Sequence, residues 1–275
     1  MNPRELLEAF LTPPRLRELS REESFIAQSR TSTVRLKGSG FARGGGDEIK
    51  IYRWEEGPAV LFVHGWGSRA AHFEAMILGL REKGVASVAF DAPGHGRSEG
   101  TLSSAPAFAA AMEAAAEEHG PFQAVVAHSL GAVATSLALS KALPTQKVAL
   151  LGSCCWVEPV AIAFARSQGA SDVLIEEMLK LAHQEFRSEE ISAELSAPAL
   201  GGVSALLMHD PDDSEMPYRH SVALAAAWPG AILVDTRGVG HRRILRARDI
   251  VARTIQHLAS DRGATSDDVV RDQSI

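Results

Sequence analysis

The feature that most constrains this chain is a rhythm. Apolar runs at residues 60–63, 85–90, 122–127, 147–151, 203–208 and 231–234 alternate with stretches of helical pattern at 70–83, 107–119, 132–143, 218–228 and 243–259. A strand that is apolar at successive positions has both faces covered, as happens inside a parallel sheet. Parallel neighbours need a long crossover, and the helical stretches supply one. The pattern predicts an α/β fold, with a mostly parallel central sheet, right-handed crossovers and helices on both faces. Ahead of it, 34–37 and 49–54 alternate at period two about the turn Gly44-Gly45-Gly46-Asp47. That is a hairpin, which adds antiparallel strands at one edge.

Three segments stand outside the rhythm. Residues 1–32 are rich in proline and arginine and are expected to be a helical extension lying on the domain surface. Residues 156–202 contain no apolar strand, but Val173, Leu174, Met178 and Leu181 recur at helical spacing. They are expected to form a small helical cap over the C-terminal edge of the sheet, dividing the core into 33–155 and 203–259. Residues 260–275 are polar and rich in aspartate, the composition of a disordered tail.

A chain of 275 residues has room for one large domain and its insertion. Its net charge of −6 argues against a nucleic-acid partner, whose binding surface would be basic and clustered. No run approaches the roughly 20 apolar residues that span a bilayer, so no membrane association is expected. The opening residues, Met1 to Glu8, lack the apolar stretch of a secretory leader. Cys154 and Cys155 are adjacent and have no third partner. They read as reduced thiols buried near a strand end, consistent with a cytoplasmic protein. No ligand set has the spacing of a metal site, and no cofactor is implied.

The chemistry centres on Ala127-His128-Ser129-Leu130-Gly131, between an apolar run and a helical one. A strand turning sharply into a helix, with serine at the apex and small residues two positions either side, is a nucleophile elbow. A serine hydroxyl needs a base to take its proton. His241, in Gly238-Val239-Gly240-His241, follows the last apolar run and is placed to be that base. A carboxylate should orient the imidazole, and His209-Asp210-Pro211-Asp212-Asp213 offers three. Taken singly, each residue has a plainer reading: Ser129 as a helix cap, His241 as a packed loop histidine, Asp213 as a turn residue. Taken together, the order Ser, Asp, His is that of the α/β-hydrolases.

The chain resembles that superfamily in four segments spanning about residues 33–259. These are His64-Gly65-Trp66-Gly67, Asp91-Ala92-Pro93-Gly94-His95-Gly96-Arg97-Ser98, the elbow, and the pairing of His209…Asp213…Pro217 with Gly240-His241. The resemblance implies a serine hydrolase with a short helical cap. It points to Asp213 as the acid, with Asp210 as the alternative because it stands where glycine is usual. It implies an oxyanion hole of two backbone N–H groups, from Trp66 and Leu130. Asp91, His64, His95 and Ser98 read as structural, and His128 as a neighbour of the nucleophile pointing away from it. Glu158 is a distant substitute for the acid. The implied partner is a small-molecule acyl substrate.

Ester or thioester hydrolysis is the leading function. Acyl transfer and C–C bond hydrolysis use the same triad, and fold alone does not choose among them. Serine at the elbow disfavours dehalogenase and epoxide hydrolase chemistry, which in relatives uses aspartate there. Glu176, Glu177, Glu185, Glu189 and Glu190 could anchor a substrate amine, but read better as a solvated face. A non-catalytic ligand-binding protein is the alternative of a different class.

Overall fold

Val60 and Phe62 pack on one face of the sheet, and Leu61 and Val63 on the other, all four fully buried. They belong to strand β3 (Ala59–Val63) of the computed structural model, which describes residues 1–36, 47–141, 143–186 and 191–259. The other strands are β1 (Arg30–Arg35), β2 (Glu48–Trp54), β4 (Ala86–Asp91), β5 (Phe122–His128), β6 (Lys147–Leu151), β7 (Ser204–His209) and β8 (Ile232–Asp235). They form one sheet in the order β1-β2-β4-β3-β5-β6-β7-β8. The hairpin strands pair antiparallel at one edge, and β4 through β8 are parallel, as the alternation predicts.

Helices cover both faces. One carries α4 (Ala105–His119), α5 (Leu130–Ser140), the single turn α8 (Ala193–Ser196) and α9 (Arg219–Ala227), packed through Phe108, Met112, Val133 and Leu224. The other carries α2 (Ser20–Ile26), α3 (Glu74–Arg81) and α11 (Arg248–Ala259), packed through Phe25, Met76, Ile77 and Ile250. The helical stretch expected over 243–259 divides: a single turn, α10 (Gly240–Arg243), carries His241, and α11 begins only at Arg248.

Between β6 and β7 lie α6 (Val157–Ser167), α7 (Asp172–Phe186) and α8. Met178 faces inward, whereas Val173 is 67% exposed and takes no part in the packed stripe. The N-terminal segment departs from expectation. It is helical, but α1 (Pro3–Leu11) is docked rather than loosely laid on the surface: Glu5 and Glu8 are exposed, whereas Leu6 is fully buried, and Leu7 and Leu11 nearly so, against Ala161, Ala165, Ile175 and Met178 of α6 and α7. Its proline and arginine content hides a helical stripe of Leu6, Leu7, Phe10 and Leu11, which must be covered to hold the helix in place. The Gly44-Gly45-Gly46 turn, Lys37, Glu189, Glu190 and the tail 260–275 lie outside the described residues.

Candidate active site

Ser129 stands between β5 and α5 with φ 52° and ψ −119°. A non-glycine residue held there costs on the order of 1–3 kcal/mol, which the surroundings must supply. They do so by hydrogen bonding and close packing. The Ser129 N–H donates to the Leu151 carbonyl at 3.0 Å, and its carbonyl accepts from the N–H groups of Ala132 and Cys154 at 3.0 and 3.1 Å. A Cβ on Gly131 would come within 2.6 Å of the Val63 carbonyl oxygen, so only glycine lets α5 start this close to β3. The strained turn leaves the hydroxyl at the C-terminal ends of the parallel strands, where open α/β sheets bind ligands.

The imidazole of His241 lies across the turn. Its Nε2 is 3.0 Å from Ser129 Oγ, and its Nδ1 is 2.7 Å from Asp213 Oδ2. A carboxylate can only accept, so Nδ1 carries the proton and Nε2 is left to accept from the serine hydroxyl. Asp213 Oδ1 accepts from the backbone N–H groups of Glu215 and Met216 at 2.8 and 2.9 Å, and His209 Nε2 lies 3.3 Å from Oδ2. Burial pushes this carboxyl upward, but hydrogen bonds from His209, His241 and Met216 outweigh it and hold the pKa well below the usual carboxylate range.

Asp213, rather than Asp210, meets the imidazole. Asp210 instead accepts from the Gly240 N–H at 2.6 Å and the Asp212 N–H at 3.0 Å, tying the loop that presents His241 to the end of β7. His128 turns to His241 rather than to the nucleophile. Its Nε2 donates to the His241 carbonyl at 2.8 Å, and the two rings lie 4.6 Å apart. Burial, helped by the neighbouring His241, lowers its pKa to about 3, so it is neutral. Glu158 pairs with His183 at 3.2 Å. Asp91 accepts from the N–H groups of Ala70 and Arg97 and from the Tyr52 hydroxyl, bracing the turn after β4.

Two contributors escaped the sequence reading. Gly152, just after β6, lies beneath the His241–Asp213 pair: a Cβ there would sit 3.1 Å from His241 Nδ1 and 3.7 Å from Asp213 Oδ2. A glycine directly after a buried strand was its only signal. The other is α1, whose Leu7, Phe10 and Leu11 join Trp66, Ser129, Leu130 and Met178 in walling a cavity of about 150 Å³. Cys154 also borders it, and burial pushes this thiol up to about 12. Cys154 and Cys155 are both free and buried. Among the described residues no cluster of three or more His, Cys, Asp or Glu could hold a metal ion, and no helix is long and apolar enough to cross a membrane.

The alpha/beta hydrolase family model matches residues 60–202. The chain belongs to this family. The match takes in β3, the elbow and the helices after β6, and stops short of Asp213 and His241. No curated protein matches the chain in sequence. Among solved structures it is similar to Est1E from Butyrivibrio proteoclasticus with ferulic acid bound, at 18% identity and TM-score 0.59, covering 78% of this chain and 96% of that one. It is also similar to an esterase from Exiguobacterium antarcticum, at 16% identity and TM-score 0.61, covering 78% and 96%. A bromoperoxidase from Bacillus anthracis gives 14% identity and TM-score 0.62, covering 84% and 100%. At these identities the likeness is one of fold.

Proposed function

We propose that the chain is a serine hydrolase that cleaves a carboxylic ester or related acyl bond of a small molecule. The observation that carries this is the continuous line of hydrogen bonds from Ser129 Oγ through His241 to Asp213, at 3.0 and 2.7 Å. In this reading His241 Nε2 takes the Ser129 proton as Oγ attacks the acyl carbon. Asp213 keeps the imidazole in the required tautomer and stabilises its cation. Backbone N–H groups of Trp66 and Leu130 stabilise the developing oxyanion; each such donor is worth about 10²–10³ in rate. His241 returns its proton to the leaving alcohol, then activates the water that releases the acyl group from Ser129.

The test is hydrolysis of p-nitrophenyl esters by the wild type and Ser129→Ala, together with fluorophosphonate labelling. Ser129-dependent turnover and labelling are expected. Absence of both would replace this reading with non-catalytic ligand binding.

A further inference from the structure

We infer that α1 is a wall of the substrate site, and that with α6 and α7 it lines an apolar pocket, partly open to solvent, for a substrate arm of about six carbons. This rests on the reading of Ser129 as nucleophile and names the substrate class for it. The cavity beside Ser129 has a volume of about 150 Å³. A cavity of that size lined by aliphatic and aromatic side chains holds a benzene-sized group. Leu7 and Phe10 close one side, Met178 and Ala161 another, and Trp66 and Leu130 lie next to the nucleophile. The substrate is therefore an ester with a hexanoyl-sized or phenyl-sized apolar arm.

The segment carrying this wall is fastened at several points. Asn2 and Glu5 close a capping box at the start of α1, and Arg4 pairs with Glu185 of α7 at 2.7 Å. The Leu11 carbonyl accepts from the Ser103 N–H at 2.8 Å, joining the end of α1 to the chain before α4. Pro14 packs so closely on the loop after β3 that a Cβ on Gly67 would lie 2.8 Å from its Cγ. Beyond it, Arg15 donates to the Gly100 carbonyl at 2.6 Å, and Arg97 pairs with Glu18 at 3.0 Å. The Phe10 ring stacks over Trp66 at 6.5 Å with planes 17° apart, and meets Phe164 at 5.5 Å. The wall is thus tied to the cap and to the loop that carries Trp66.

The experiment measures kcat/KM for p-nitrophenyl acylates from acetate to dodecanoate, and for acetates of primary alcohols over the same lengths. The proteins are the wild type, Leu7→Ala and Leu7→Trp. One series should peak near six carbons in the wild type and so identify whether the arm is the acyl or the alcohol part. Leu7→Ala enlarges the pocket by about three carbons and should raise the ten-carbon to six-carbon ratio at least about tenfold. Leu7→Trp should move the optimum to four carbons or fewer. Should the tryptophan not fold, Phe10→Ala opens the same wall and should act like Leu7→Ala.

In parallel, benzene-saturated buffer should raise the melting temperature of the wild type, but not of a folded Leu7→Trp. Turnover through Ser129 with a chain-length profile unchanged in every Leu7 and Phe10 variant, and no benzene shift, would overturn this inference while leaving the ester reading intact. A benzene shift without turnover would uphold the pocket and remove the ester.

Discussion

Gly152→Ala tests whether the residue beneath the imidazole sets its position. Gly152 has φ +54°, a conformation that costs an L-residue roughly 1–2 kcal/mol. The added Cβ would also stand 3.1 Å from His241 Nδ1 and 3.3 Å from Cε1. Comfortable contacts lie near 3.5–4.0 Å, so the ring must retreat by about 0.4 Å. Asp213 at 2.7 Å and Ser129 at 3.0 Å hold that ring from either side, and retreat lengthens at least one of these bonds. A misplacement of about 1 Å costs on the order of 10²-fold in rate, so about 0.4 Å should cost roughly tenfold. The expected result is a stability loss of about 1–2 kcal/mol and a kcat/KM about one-tenth of the wild type. The control is Gly84→Ala, since Gly84 has φ +71° and nothing within 4 Å of its added Cβ. It should lose similar stability in urea titration and no activity. Full activity in Gly152→Ala, alongside equal destabilisation of both variants, would refute the claim that this contact holds His241 in register.

Three further outcomes are expected. Asp91→Ala leaves the Tyr52 hydroxyl and the N–H groups of Ala70 and Arg97 without their acceptor; at about 1–3 kcal/mol each, it should lower unfolding stability by at least about 3 kcal/mol, and a loss under about 1 kcal/mol would show that the turn does not depend on it. Burial holds His64, His95 and His128 at about 3 and His220 at about 4, so between pH 6.5 and 5 the unfolded chain takes up protons that the folded one refuses. Stability should be complete above pH 6.5 and fall as the pH drops below it, with the slope shallower by up to about 1.4 kcal/mol per pH unit in His128→Phe; a urea midpoint flat from pH 7 to 5 would contradict this. Burial pushes both thiols up to about 12, so iodoacetamide at pH 8 should leave the native protein unmodified and label Cys154 and Cys155 after denaturation, as read by mass spectrometry.

The sheet was legible because burial on both faces leaves so plain a pattern: β3, β5, β6 and β7 all lie where their apolar runs are. The elbow was legible because its backbone geometry demands small residues at Ala127 and Gly131. What escaped depended on contacts between distant segments. His128 reads as a bystander in sequence, since its bond to the His241 carbonyl joins residues 113 positions apart. The choice between Asp210 and Asp213 also turned on three-dimensional placement, because both carboxylates bind the loop that brings His241 to the site. The stripe of α1 was present in the sequence, but nothing local says which surface covers it.

That last feature bears on how the molecule assembles. The partners of α1 on α6 and α7 are made only after the first six strands, so its docking closes one of the longest loops in the fold and belongs to the late steps of folding. By the same topology, α1 can detach and re-dock while the sheet stays whole, a local opening cheaper than global unfolding. An opened molecule would keep Ser129, His241 and Asp213 in place and lose one side of the pocket. Under mild heat or low urea, discrimination among substrates should therefore fade before turnover does.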